Sequence, residues 1–528
     1  MKNRYIALTL LVSTFVFNSC SDDIEKYNEN PNSPEVVPSS TIFNSATKEY
    51  TDIMHDAFNH GRLTLPWLQY WGQTSYADED RYLYRETTAQ SIYQNSYLIA
   101  TDFKQILDLN TNEETRSQQA ANGNNDNQIA ASRIMLSYIF HKLTDTFGDV
   151  PYYSYGSNDP EFQALQVGEV LSPVFASQEK IYADILSELR AASDMINTSE
   201  PVFNSGDNIF NGDAVKWKKF ANSLILRVAN RLRDVQPGTT ESAISAALAA
   251  GVMESNEDNA IQAYEAVDAT ASPFWVAYIA RTDFAVTNTF IRVLKGETGN
   301  FGLDPRLFEY AAPRLASIAQ VKGDSYTEST NPADYVGVPY AFAQTQRLPF
   351  DTFSFPSSNV LKPDYGEVLM EYAEVQFIIS EHNGFSQAEY ENGVRASMQK
   401  WGVSPADIAS FVASLPAANE ANVLNQKWVA LYMQAHEAWA DYRRTGFPNL
   451  IKLPGETIAL DPIQTAALPE DSRVTSYIFE PRIDINDLPK RLSYPQTLQT
   501  LNGVNRSAAA SELSDGDTVN SELFWDVD

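Results

Sequence analysis

Apolar positions recur at helical spacing through most of the chain. Leu136, Ile139, Phe140, Leu143 and Phe147 fall on one helix face, as do Ile181, Tyr182, Ile185, Leu186, Leu189, Ala192 and Ile196. A third stripe joins Trp217, Phe220, Ala221, Leu224, Ile225, Val228, Ala229 and Leu232, with Asp213 placed to cap its start. A fourth runs through Leu424, Trp428, Leu431, Tyr432, Ala435, Trp439 and Tyr442. Arg443 and Arg444 suit the C-terminal end of that helix, and Gly446 and Pro448 stop it. The same spacing predicts helices over 91–109, 365–381 and 386–400.

These helices come in pairs across short connections, so the fold class is mainly α, built of tetratricopeptide-like helical hairpins. The strict consensus of that repeat is absent, which predicts an irregular arrangement instead of a regular solenoid. Between the helices lie long stretches rich in Gly, Pro, Asn and aromatics: 61–90, 148–176, 198–212, 262–362 and 444–528. Long irregular segments in a folded chain are disproportionately functional. The stretch 110–127 is polar and low in complexity and reads as a surface excursion. No composition break divides residues 41–528, which read as one body.

The N-terminal end carries a different signal. Lys2 and Arg4 precede an apolar run from Tyr5 to Phe17, and Ser19 then precedes Cys20, the chain's single cysteine. Charged start, short apolar stretch and small residue make a secretory signal over residues 1–19. The run is short for a bilayer span, which takes about 20 apolar residues. A cysteine at that position predicts lipidation and a lipid-anchored exported protein, since more than one acyl chain gives durable anchoring. Phe17 and Asn18 depart from the usual residues before such a cut. Residues 20–40, rich in Asn, Pro, Ser and Glu, read as a flexible tether.

Charge and chemistry narrow the function. A formal net charge of −30 argues against nucleic acid, which needs clustered Lys and Arg. The five histidines form no HExxH, and no Walker loop, GxGxxG turn or GxSxG elbow occurs. Nothing designates a carboxylate pair at glycosidase distance. Calcium is compatible with the abundant oxygen ligands, Asp145 and Asp149 among them, but no motif supports it, and turn or cap hydrogen bonding explains both residues. The predicted cofactor set is therefore empty. Aromatics offer more. The segment PWLQYWGQTSYADEDRYLY at 66–84 and PFWVAYIARTDF at 273–284 interleave rings with polar residues. Ring faces bind the C–H faces of sugars while Asn, Asp, Gln and Arg bond hydroxyls, although the same rings could equally pack loops onto helices. Trp67, Trp71, Tyr76 and Trp275 are the candidate ligand residues.

Several segments together resemble one family. Asp145 to Tyr152 (DTFGDVPY) is similar to its "D-x-x-G-D-V-P-Y" turn, and Gly212 to Leu224 to its "G-D-x-x-K-W-x-K-F-A-N-S-L" helix start. Asp304-Pro305-Arg306 matches its "D-P-R" turn, and Glu437 to Pro448 resembles "E-A-W-x-D-x-R-R-T-G-x-P". Arg491 to Pro495 resembles "R-x-x-Y-P", and Phe524-Trp525-Asp526 its terminal "W-W-D". These belong to the SusD/RagB-like outer-membrane nutrient-binding lipoproteins, in the branch with an Asn-Pro-Asn tether. The resemblance implies a mainly α fold on the outer face of the outer membrane. It also implies a glycan or peptide ligand and a SusC-like TonB-dependent β-barrel transporter as partner. No catalysis is implied, and the motif residues look structural. A surface lipoprotein hydrolase, and a scaffold without a small ligand, are the alternatives the residues leave open.

Overall fold

The computed structural model describes residues 37–527. Cys20, the signal segment 1–19 and tether residues 20–36 lie outside the described residues. The first helix, α1 (Ser39–Met54), begins inside the segment read as tether, and both Ser39 and Ser40 are buried.

Helices then follow in sequence: α2 (Glu86–Thr111), α3 (Asn125–Phe147), α4 (Gln178–Met195), α5 (Ala214–Arg231) and α6 (Pro237–Ala250). Each packs against the next, giving consecutive helical hairpins. α3 is central, and its face opposite the apolar stripe is buried too, with Gln128, His141 and Lys142 inside. α7 (Pro273–Ala280) and α8 (Asn288–Leu294) stand in the long middle segment. A second helical group comprises α9 (Tyr372–His382), α10 (Gln387–Lys400), α11 (Pro405–Ser414), α12 (Glu420–Ala430) and α13 (Ala435–Thr445). It joins the first where α9 packs on α5.

Two helix expectations change. The fourth stripe is broken into α12 and α13 at Met433, whose φ is 69°. The apolar spacing runs on across the break because Leu431, Tyr432 and Met433 are all fully buried, so periodicity does not register it. Residues 365–381 begin with a strand, β4 (Glu367–Met370), before α9 starts; it pairs antiparallel with β2 (Ala260–Gln262). The other ribbons pair β1 (Trp71–Gln73) with β3 (Phe284–Val286) and β5 (Thr457–Ala459) with β6 (Ser476–Ile478).

Candidate functional site

The site is assembled by the β1–β3 ribbon. Trp71 pairs with Val286, Gly72 with Ala285 and Gln73 with Phe284. Beyond it, the Thr74 amide donates to the Asp283 carbonyl (2.9 Å) and its hydroxyl to the Thr282 carbonyl (2.6 Å). This zipper sets Tyr76 against Arg281 and Asp283. From the other side, Asp56 Oδ1 accepts the amides of Phe58 and Asn59 (2.7 and 2.6 Å), turning the chain into a π-helical turn, His60–Thr64, that delivers Arg62.

These side chains interlock. The Tyr76 hydroxyl donates to Asp283 Oδ2 (2.9 Å) and accepts from Nη2 of Arg62 (2.7 Å) and of Arg281 (3.1 Å). Arg281 Nε lies 2.8 Å from Asp283 Oδ2 and Arg62 Nη2 3.3 Å from the same oxygen. Burial and the Asp283 hydrogen bond push the Tyr76 phenol up to about 12, so it remains a donor at neutral pH. Burial also pushes Asp56 up to about 6. The Arg62 guanidinium lies 4.6 Å from the ring centre of Phe58, an aromatic that is 51% exposed.

α7 leads directly into Arg281. Pro273 opens it, and Phe274 and Tyr278, four apart, face inward against the ribbon. Phe274 packs on Trp71 (4.9 Å between centroids), and the Tyr278 hydroxyl donates to the Phe284 carbonyl (2.7 Å). The opposite face presents Trp275, Val276 and Ile279 to solvent; the latter two are about half exposed. The Trp275 indole donates to Asp268 (2.7 Å), and Lys322 Nζ lies 4.4 Å from its ring. The platform comprises the exposed Phe58 ring and the part-buried Tyr76 ring, both against the Arg62 guanidinium, and the part-buried Trp275 on α7, the helix that leads into Arg281. Such a surface can hold a ligand with alternating apolar and hydroxyl-bearing faces.

Of the four predicted ligand residues, Tyr76 and Trp275 stand on this platform. Trp67 and Trp71 do not: both are fully buried. Trp67 packs edge-on against Trp439 (5.1 Å), and Trp71 donates to the Tyr432 hydroxyl (2.9 Å). Polar neighbours of these rings had signalled exposure, but Gln69 and Gln73 are themselves buried and bonded, Gln69 to both backbone groups of Lys452. Phe58, Arg62 and Lys322 carry no such signal in sequence, since none stands in a segment that interleaves rings with polar residues in the way 66–84 and 273–284 do.

Beneath the platform, His60 lies 5.1 Å from His55 and 5.3 Å, stacked, from His436. Burial depresses His60 and takes His436 down to about 3, so both are neutral core rings. Among the described residues no group of His, Cys, Asp and Glu is arranged to hold a metal ion. Asp149 bonds the Gln178 amide at the start of α4 (2.9 Å), and Asp145 faces Arg231 (3.2 Å) within the core.

The deciding observation is a sequence model of outer-membrane-associated starch-binding SusD-like proteins, which matches residues 31–464. The chain belongs to the SusD-like family. A second model, of SusD and RagB outer-membrane lipoproteins, matches residues 416–526. No curated protein matches the chain significantly. Among solved structures, a SusD homologue from Parabacteroides distasonis superposes with a TM-score of 0.71 at 21% identity, covering 92% of this chain and 98% of its own. A chitin-binding SusD homologue from Flavobacterium johnsoniae gives 0.66 at 21%, covering 92% and 99%. A SusD-like protein from Bacteroides thetaiotaomicron gives 0.68 at 18%, covering 93% and 99%. The SusD-like, mainly α fold is thus shared over nearly the whole body. No helix among the described residues is long and apolar enough to cross a membrane.

Proposed function

We propose that this SusD-like protein is a cell-surface binding lipoprotein. In this reading it captures oligosaccharides on the Phe58/Tyr76/Trp275 platform and passes them to a SusC-like, TonB-dependent outer-membrane transporter, with Cys20 carrying the lipid anchor. The observation that carries the reading is the platform itself: the exposed Phe58 ring and the partly exposed Tyr76 and Trp275 rings beside fixed hydrogen-bonding groups, on a chain of the SusD-like family. Both Asp283 oxygens are taken up by guanidinium and phenol groups, so this carboxylate orders its neighbours and no activated nucleophile stands beside it. No bond-making step is assigned.

Calorimetry with chitin and starch oligosaccharides, on the native protein and on Trp275→Ala, tests the site. Loss of a part-buried stacking ring removes about 1–2 kcal/mol of contact, so affinity is expected to fall roughly 5- to 30-fold with the fold intact by circular dichroism. Unchanged affinity in Trp275→Ala and in Tyr76→Ala together would place the ligand elsewhere. Recovery of a β-barrel transporter on affinity purification from outer membranes tests the partner.

A further inference from the structure

The ionic half of the platform narrows the ligand class, on the reading that the platform binds glycans. Arg62 and Arg281 converge on one carboxylate, Asp283, and on one phenol, Tyr76. The two cations differ in access. The Arg62 side chain is 9% exposed and already sits against Phe58 and Tyr76, whereas Arg281 is 59% exposed. Arg281 spends Nε on Asp283 and Nη2 on Tyr76; no hydrogen bond from its Nη1 is made among the described residues. Lys322 adds a third cation over Trp275. Against these stand Asp283, Asp56 and Asp268. Asp56 is occupied by two backbone amides, and Asp268 accepts the Trp275 indole. Three cations thus stand beside three engaged carboxylates, on a chain of net charge −30.

That contrast has a physical consequence. Repulsion by the acidic body is largely screened beyond about 8 Å at physiological ionic strength, so the groups of the patch itself decide what an anion meets there. A half-exposed guanidinium with free donors, held rigid by a carboxylate and a phenol, is a ready partner for a carboxylate, which guanidinium groups take bidentately. A neutral sugar would need only hydroxyl partners, and Asn or Gln would supply them.

We infer that the platform selects acidic sugars: Phe58 and Trp275 take the apolar ring faces, and Arg281 pairs with a uronic-acid carboxylate. Arg281 is then the specificity-determining residue.

The experiment compares, by calorimetry on the full folded protein, an oligogalacturonide, the same oligosaccharide with its carboxyls reduced to alcohols, a sulfated neutral oligosaccharide of equal length, and chitin and starch oligosaccharides. The expected result is at least fivefold tighter binding of the uronate over its reduced form, a ratio that shrinks as salt is raised from 20 to 500 mM. In Arg281→Gln that ratio should collapse to about one, and Arg281→Lys should restore it only in part. In Arg292→Gln, a solvent-exposed arginine paired elsewhere with Glu297, the ratio should persist. A sulfated ligand preferred over the uronate would overturn the assignment of a carboxylate. Equal affinity for charged and reduced forms, or binding of chitin or starch alone, would overturn the inference and leave glycan binding standing. Binding of none of the five would overturn both.

Discussion

Asp80 flanks the ribbon that carries the platform and is fully buried. Its Oδ2 accepts the Gln73 amide (2.9 Å). Burial is the chief cause that lifts its carboxyl to about 8; neighbouring Glu79 adds to the rise, and the amides of Gln73 and Ala341 oppose it. An unfolded Asp ionises near its ordinary value of about 3.9. Between the two values the folded chain holds a proton that the unfolded chain releases, so this group makes stability fall as pH rises from about 4 to about 8. The slope is at most about 1.4 kcal/mol per pH unit. Asp80→Asn removes the ionisation and keeps an acceptor for Gln73. In urea unfolding it should equal or trail the native protein near pH 5 and exceed it at pH 8.5. A gap that stays constant across that range would mean that Asp80 ionises normally in the fold. At this scale the sequence was a partial guide to the site. Tyr76 and Trp275 are legible as rings that keep part of their surface exposed, and Arg281 beside Tyr76 faces solvent. Trp67 and Trp71 are misread because Gln69 is buried against Lys452, nearly four hundred residues away, and Gln73 in a ribbon whose other strand is Phe284–Val286.

Helix starts were the most legible elements, because a cap is chemistry within a few residues. Asp213 Oδ1 accepts the amides of Val215 and Lys216 (2.9 and 3.1 Å), as its position before the third stripe predicts. Gly212 just before it has a φ of +80°, and a Cβ there would lie 2.1 Å from the Phe203 carbonyl oxygen. The two residues therefore stabilise the same helix start by separable means. Asp213→Ala should cost about 1 kcal/mol in chemical denaturation. Gly212→Ala should cost more, since it combines left-handed backbone strain with a clash. The opposite order would show that the turn relaxes freely and the cap dominates. What local chemistry did not reveal were elements defined by remote partners. β4 exists because Ala260–Gln262 supplies its ladder, and a four-residue segment with three apolar residues cannot announce that. The break between α12 and α13 contains neither Gly nor Pro, and its residues are held by aromatic contacts from elsewhere, such as Tyr432 against Tyr310.

Across the whole molecule, the segment Glu437 to Arg444 acts as a buried electrostatic hub. Glu437 meets Arg231 (2.6 Å) and Arg227 (3.5 Å) of α5 and Lys142 (3.0 Å) of α3. Asp441 pairs with Lys427 of α12 (2.6 Å), and Arg444 forks onto Glu381 of α9 (2.7 and 2.9 Å). Arg443 lies over Trp439 (3.6 Å) and Trp525 (4.8 Å), so the chain's C-terminal aromatic closes the same cluster. Burial alone would raise the Glu437 pKa, yet Arg231, Lys142 and Arg227 hold it well below the usual carboxylate range. Its contribution is therefore present in full at neutral pH and is lost progressively as pH falls from the ordinary glutamate value, about 4.3, toward the depressed value in the fold. Helices far apart in sequence are thus joined through one carboxylate. Glu437→Gln preserves shape and leaves three buried cations short of a partner, a change that costs about 3–5 kcal/mol. Because the cations belong to α3 and α5, amide exchange in the variant should accelerate together in α3, α5 and α13 while the platform residues 74–76 and 281–283, tied by their own ribbon, change less. Acceleration confined to α13 would show that the network follows the packing of these helices and does not hold them together.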